Sequence, residues 1–132
     1  MLFLALTILT VNVNAVTYIE SKNNPQAYAI KENARGLGQI RPIVLQEYNK
    51  YNKTTVRPCD LFLGAINLKI CDWYLNKRIP AMLRAYRLAD TIENRLICYN
   101  AGIGKLRSGA IPSRTIAYIK EYNRLTKKGV PK

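Results

Sequence analysis

The chain contains no histidine, only eight aspartates and glutamates, and three cysteines without a CxxC pair. Without histidine there is no Ser-His-Asp or Cys-His nucleophile pair and no histidine-based zinc site. With so few carboxylates, acid chemistry must fall to a small set of residues. No apolar run approaches the ~20 residues that cross a bilayer. Repeats, low-complexity tracts and linkers are also missing, so residues 1–132 read as one compact domain large enough for a genuine core.

What is abundant is positive charge. Lys and Arg number 21, giving a net charge of +13. Such a surface seeks polyanions, whether nucleic acid, anionic lipid or an anionic cell envelope, and charge alone does not choose among them. The cysteines are Cys59, Cys71 and Cys98. A helix from about Asp60 would hold Cys59 and Cys71 roughly 16 Å apart, beyond the ~7 Å reach of a disulfide, so buried free thiols are expected.

The first fifteen residues admit two readings. Leu2 to Val11 is apolar, and Val13-Asn14-Ala15 passes as a weak leader-peptidase site, though no Lys or Arg precedes the run. Leu2, Leu6, Leu9, Val13 and Val16 also repeat at helical spacing, the pattern of a core helix running into Glu20. Cleavage after Ala15 would leave four residues before that glutamate. The core helix takes precedence, and the signal peptide stays open.

The rest reads as helix after helix, an all-α expectation. The first helix covers about 4–20, and 22–35 is loop with Asn23-Asn24-Pro25 as a turn signal. Pro42 suits a helix start and opens 42–51. A third helix covers 64–78, Pro80 marks a break, and a short helix follows at 81–86. Asp90 or Thr91 opens the next, which ends at Gly102 and Gly104. Ser113 is expected to cap a last helix carrying Ile116, Tyr118, Ile119, Tyr122 and Leu125, with a frayed basic tail at 127–132.

Glu20 stands out because it follows Val13, Val16 and Ile19 on its helix. Partial burial there disfavours the carboxylate and raises its pKa towards neutrality, the condition for a general acid. Taken alone, it reads as a helix-terminal glutamate in solvent. Gly36, Gly38 and Gln39 change that balance, because glycines admit a polar ligand close to the backbone and an amide offers both donor and acceptor. Tyr99-Asn100-Ala101-Gly102 adds an aromatic ring, an amide and a turn, though alone it reads as a helix end with an αL cap.

In order along the chain stand Glu20-Ser21, Asn24-Pro25-Gln26-Ala27, Ala34-Arg35-Gly36-Leu37-Gly38-Gln39-Ile40-Arg41-Pro42, Tyr99-Asn100-Ala101-Gly102 and Thr115-Ile116-Ala117-Tyr118. Together they resemble the soluble lytic transglycosylase (SLT) family, related to goose-type lysozymes, over residues 13–122. Asn67 and Trp73-Tyr74-Leu75 resemble that family's central helix. The resemblance implies a lysozyme-like helical domain with a glycan-binding cleft. It implies Glu20 as catalytic acid/base, Ser21 and Gln39 lining the cleft, Tyr99 and Asn100 contacting sugars, and Tyr118 beside Glu20. The chain departs from the family pattern in a first helix that is short for the family, in Tyr28 and Ala29 where a serine is common, and at two further positions. Gly38 stands where the family usually has methionine, which predicts a looser apolar wall, and Arg114 replaces the acid usual before Thr115.

The implied reaction is non-hydrolytic cleavage of the MurNAc-GlcNAc β-1,4 bond of peptidoglycan, giving 1,6-anhydro-MurNAc. Ordinary glycosidases use two carboxylates, yet no second acid sits in a matching motif here. Asp60, Asp72, Asp90 and Glu93 read as helix-start or exposed-face residues. One acid suffices if the substrate supplies its own nucleophile, and neither metal nor cofactor is required. The implied partner is the peptidoglycan glycan strand, met by a monomer in the periplasm or cell envelope, secreted or virion-associated. Competing readings are a muramidase on the same scaffold, an inactive peptidoglycan-binding module, and a basic nucleic-acid binder. The last would gather Arg and Lys on one helix, whereas here they are spread over the chain.

Overall fold

The computed structural model describes residues 8–131. Seven α-helices and one hairpin order as α1 (Val13–Ser21), β1 (Tyr28–Ala29), β2 (Ala34–Arg35), α2 (Pro42–Asn52), α3 (Gly64–Trp73), α4 (Ile79–Ala85), α5 (Ile92–Ala101), α6 (Ile103–Ser108) and α7 (Ser113–Lys128) among the described residues. The all-α expectation holds, with the hairpin as the one element of sheet, pairing Tyr28 with Arg35 and Ala29 with Ala34. No helix among the described residues is long and apolar enough to cross a membrane.

Helix α5 is the axle. Five consecutive residues, Arg95 to Tyr99, are buried, the mark of a helix covered on all sides. Leu96 is fully enclosed, and cutting it to alanine would cost about 2–5 kcal/mol. Thr91 caps this helix by accepting the Asn94 N–H at 3.0 Å, as its position before the apolar run predicts. Helix α7 lays Thr115, Tyr118, Tyr122 and Leu125 against α1 and α5 and turns its other face to solvent.

The first helix begins later than its apolar periodicity predicts. Residues 8–12 are non-helical, and the part of that expectation falling on residues 1–7 lies outside the described residues. Side chains from distant helices take the backbone groups that helix would have used. Asn76 accepts the Val11 N–H at 2.8 Å and donates to the Val11 carbonyl at 3.3 Å. Tyr122 Oη accepts the Asn12 N–H at 2.9 Å, and Arg95 donates to the Leu9 carbonyl at 3.0 Å. Asn12 then starts the helix by accepting the Ala15 N–H.

Pro80 does not break its helix. The residues Tyr74–Arg78 form a π turn, and 64–85 runs on as one rod with helical dihedrals through Tyr74, Arg78 and Ile79. The Ile79 N–H bonds back five residues to the Tyr74 carbonyl, and this wider turn makes room for a ring that would clash with an ordinary helical carbonyl. Four smaller expectations are corrected too. Gly104 lies inside α6, with Gly102 alone closing α5. Ser113 is the first residue of α7, and its predecessor Pro112 occupies the cap without a side-chain bond. Cys59 is exposed, while Cys71 and Cys98 are buried free thiols as expected. The tail expected to fray from 127 instead continues α7 to Lys128, and Val130 packs on the core.

Candidate active site

Glu20 sits one residue from the end of α1, where Lys22 and Asn23 turn the chain with left-handed dihedrals. It looks into a cavity of about 270 Å³ that is also lined by Glu32, Gln39, Arg41, Tyr74, Tyr99, Asn100 and Arg114. A larger groove of about 750 Å³ lies elsewhere, between the Leu37–Phe62–Leu63 patch and Val130. It has no ionisable lining residue among the described residues, so acid–base chemistry belongs to the smaller cavity.

The wall beside Glu20 is the segment 36–39, closed at its base by reciprocal backbone bonds between Arg35 and Ile40 at 3.0 Å. Ser21 ties it to α1, its hydroxyl within 2.7 Å of the Leu37 carbonyl. That hydroxyl also approaches the Thr17 carbonyl and accepts the Asn24 N–H. Ser21 is not among the residues lining the cavity; its place is behind the wall. From the other side, the fully buried Asn67 accepts the Gly38 N–H at 2.8 Å and donates to the carbonyls of Arg35 and Leu61 at 2.9 Å each. One amide therefore locks the loop to α3.

Two glycines are required by that lock. Gly36 has φ +76°, and a Cβ there would fall 2.2 Å from the Leu61 carbonyl oxygen and 2.3 Å from Asn67 Nδ2. A Cβ on Gly38 would fall 1.9 Å from Cys71 Sγ and 2.9 Å from Tyr99 Oη. The looser wall predicted from the absence of methionine is not found. The Cys71 thiol and the Tyr99 phenol already fill the space that a side chain at 38 would enter.

Each polar group in the cavity has a restricted job left to it. Gln39, held at φ 52°, uses Nε2 on the carbonyls of Ala27 (3.2 Å) and Gly36 (3.0 Å), which leaves Oε1 as its acceptor for a ligand. Tyr99 Oη donates to the Gly38 carbonyl at 2.6 Å, so this tyrosine presents ring rather than hydroxyl. Burial pushes its phenol well above the ordinary tyrosine range. Asn100 accepts the Thr115 hydroxyl at 2.6 Å, which keeps its NH2 as the free donor. Thr115 is itself fully buried and pins the start of α7 to the end of α5.

Tyr118 projects from α7 and donates to Glu20 Oε2 at 2.9 Å. Burial raises the Glu20 carboxyl from 4.5 to about 7; the Tyr118 bond and the Arg41 charge pull it down, and the Glu32 charge adds a small upward push. Glu20 is thus partly protonated at neutral pH while holding an aligned donor for its anionic form. That combination suits a group that must first give a proton and then take one back.

The structure brings Glu20, Gln39, Tyr99 and Asn100 to one cavity and sets Tyr118 against Glu20. Sequence reasoning missed Glu32 and Arg41. A second carboxylate does share the cavity, contrary to expectation, because the β1–β2 hairpin folds Glu32 back towards α1. No periodicity in that loop marks it. Arg41 donates to the Tyr99 carbonyl at 3.1 Å. Its position two residues after Gln39 was the available signal. The carboxylates named from sequence lie elsewhere: Asp60 pairs with Arg57, Asp90 with Arg95, Asp72 accepts from Asn76, and Glu93 is exposed. No cluster of side chains suited to a metal ion occurs among the described residues.

Comparison with known proteins adds a single match. The family model for the transglycosylase SLT domain matches residues 6–119, most of the chain. No curated protein and no solved structure matches it. That match spans the α1 glutamate, the glycine wall, the α5 turn and the α7 tyrosine, and with it the chain belongs to the transglycosylase SLT domain family.

Proposed function

We propose that this protein is a lytic transglycosylase that cleaves the MurNAc-GlcNAc β-1,4 bond of peptidoglycan with Glu20 as the one acid/base. The observation that carries the reading is the Glu20 carboxyl itself, desolvated to a pKa of about 7 and held by Tyr118 at the cavity wall. Protonated Glu20 donates to the leaving glycosidic oxygen as the C1–O bond breaks. The N-acetyl carbonyl of the substrate shares the positive charge that develops at C1. Glu20, now a carboxylate, takes the proton of the muramyl 6-hydroxyl as O6 bonds to C1, which closes the 1,6-anhydro ring and restores the acid. No water is consumed. Gln39 Oε1 and the Asn100 NH2 supply one acceptor and one donor for sugar or N-acetyl groups, and the Tyr99 ring supplies an apolar face. The protein acts as a monomer in the cell envelope, where its +13 charge draws it to an anionic polymer.

A hydrolytic reading has one specific observation in its favour, the Glu32 carboxylate in the same cavity. A carboxylate placed there has the chemistry to activate water, and the product would then be a reducing end. Mass spectrometry of the soluble products from peptidoglycan sacculi decides, with Glu20→Gln as control. Muropeptides ending in 1,6-anhydro-MurNAc, absent from the control, are expected. Reducing ends would establish a muramidase, and the absence of products from the wild-type protein would leave an inactive binding module.

A further inference from the structure

Arg114 differs from every other arginine near the site in having nothing to hold. Arg57, Arg78, Arg95 and Arg124 form the four ion pairs among the described residues, with Asp60, Glu47, Asp90 and Glu121. Arg41 is half-buried, with a guanidinium nitrogen on the Tyr99 carbonyl. Arg114 is exposed, lines the cavity, and makes no ion pair or side-chain hydrogen bond among the described residues. Glu32 lines the same cavity and is likewise unpaired, so the two lie more than 4.0 Å apart.

Its backbone is nonetheless fixed. Thr115, the next residue, is fully buried and bonded to Asn100. Tyr118 follows four residues later on the same face of α7, about 6 Å along the axis, with its hydroxyl on Glu20. The guanidinium is therefore carried one helical turn from the group that positions the acid, at the cavity a sugar would enter, with its donors unspent among the described residues. A guanidinium in that state matches a planar carboxylate and gains little from a sugar hydroxyl.

We infer that Arg114 reads a carboxylate carried by the glycan beside the bond to be cleaved, and so sets the enzyme's preference for acid-bearing over neutral chains. The inference rests on the glycan reading above. Two sources present this chemistry: the lactyl carboxylate of a peptide-free muramyl unit, and the carboxylates of an attached peptide.

The test is a titration of the Glu20→Gln protein by calorimetry with three ligands. One is a neutral N-acetylglucosamine oligomer, one a peptide-free muramyl glycan, and one the same glycan with its peptide. At least one acid-bearing ligand is expected to bind roughly ten-fold more tightly than the neutral oligomer, an advantage that shrinks with added salt. Arg114→Ala should remove that advantage without changing the neutral oligomer's affinity, and Arg114→Lys should restore part of it. The ligand that loses affinity identifies the source of the carboxylate. Equal losses on all three ligands, or no loss on any, would overturn the inference and leave the glycan reading intact. A Glu20→Gln protein that binds none of the three would overturn both.

Discussion

Two carboxyl groups in this molecule stand against buried surroundings and come to opposite ends. Asp90 meets the buried Arg95 with two bonds, at 2.7 and 3.0 Å, and the pairing holds its carboxyl below the usual range. The rest of that guanidinium serves the Leu9 carbonyl and Asn76, so the charge is fully spent on holding the chain before α1 in place. Glu20, at the other end of α1, has no cation within ion-pairing distance among the described residues; a phenol bonds it, and the Arg41 charge acts from further away. A half-exposed carboxylate paired to a buried guanidinium anchors the fold. Burial without a paired counter-ion leaves a proton to be used.

The largest expected effect comes from breaking the anchored side. Arg95→Met removes four hydrogen bonds, leaving the Leu9 carbonyl and Asp90 without this donor and Asn76 Oδ1 with the Val11 N–H alone. A loss of about 3 kcal/mol is expected in chemical denaturation, and a loss below about 1 kcal/mol would mean the network is ornamental.

The second effect is one of sign. The Glu20 carboxyl is raised in the folded state, so the stability it contributes is full below about 4.5 and lost as pH rises through about 7. The lowered Asp90 does the reverse, and its contribution is lost as pH falls through its folded pKa. Between pH 5 and 8 the wild type should therefore lose roughly 2.5 kcal/mol from the Glu20 term. Glu20→Gln should abolish that slope and be the more stable protein at pH 8. Matching slopes in the two proteins would refute the account of Glu20.

Smaller effects sharpen the contrast at the site. Tyr118→Phe deletes the donor that favours the Glu20 anion, so turnover should fall about 10- to 100-fold and the alkaline limb of the pH–rate profile should move up. An unchanged rate would remove Tyr118 from the site. Glu32→Gln deletes a charge that raises the Glu20 pKa, so the same limb should move down by a fraction of a unit. An upward move would mean that Glu32 acts on Glu20 in another way.

Much of this site was legible because its residues sit at punctuation marks. Glu20 closes an apolar run, Gln39 follows glycines ahead of Pro42, and Asn100 precedes Gly102. Local chemistry dictates such positions, and a linear reading finds them. The errors share a different cause, in that a remote side chain overrides a local preference. Apolar periodicity would have carried the first helix towards the N-terminus, but Asn76, Arg95 and Tyr122 take its backbone groups. Pro80 should have ended a helix, but one wide turn upstream accommodates it. Glu32 lay in a loop without pattern, and only strand pairing brings it to the acid.

The space shared by Gly38 and Cys71 limits the order in which this sequence can change. A side chain gained first at 38 would have to displace a sulfur 1.9 Å from its Cβ and disturb the amide that locks the wall. Trimming Cys71 first would remove the closest obstacle and open a small void, leaving the Tyr99 hydroxyl, 2.9 Å from that Cβ, as the contact a small residue at 38 would still have to move. The first route meets the 1.9 Å overlap at once, and the second avoids it. Position 38 is therefore hostage to position 71, although 33 residues separate them in the chain.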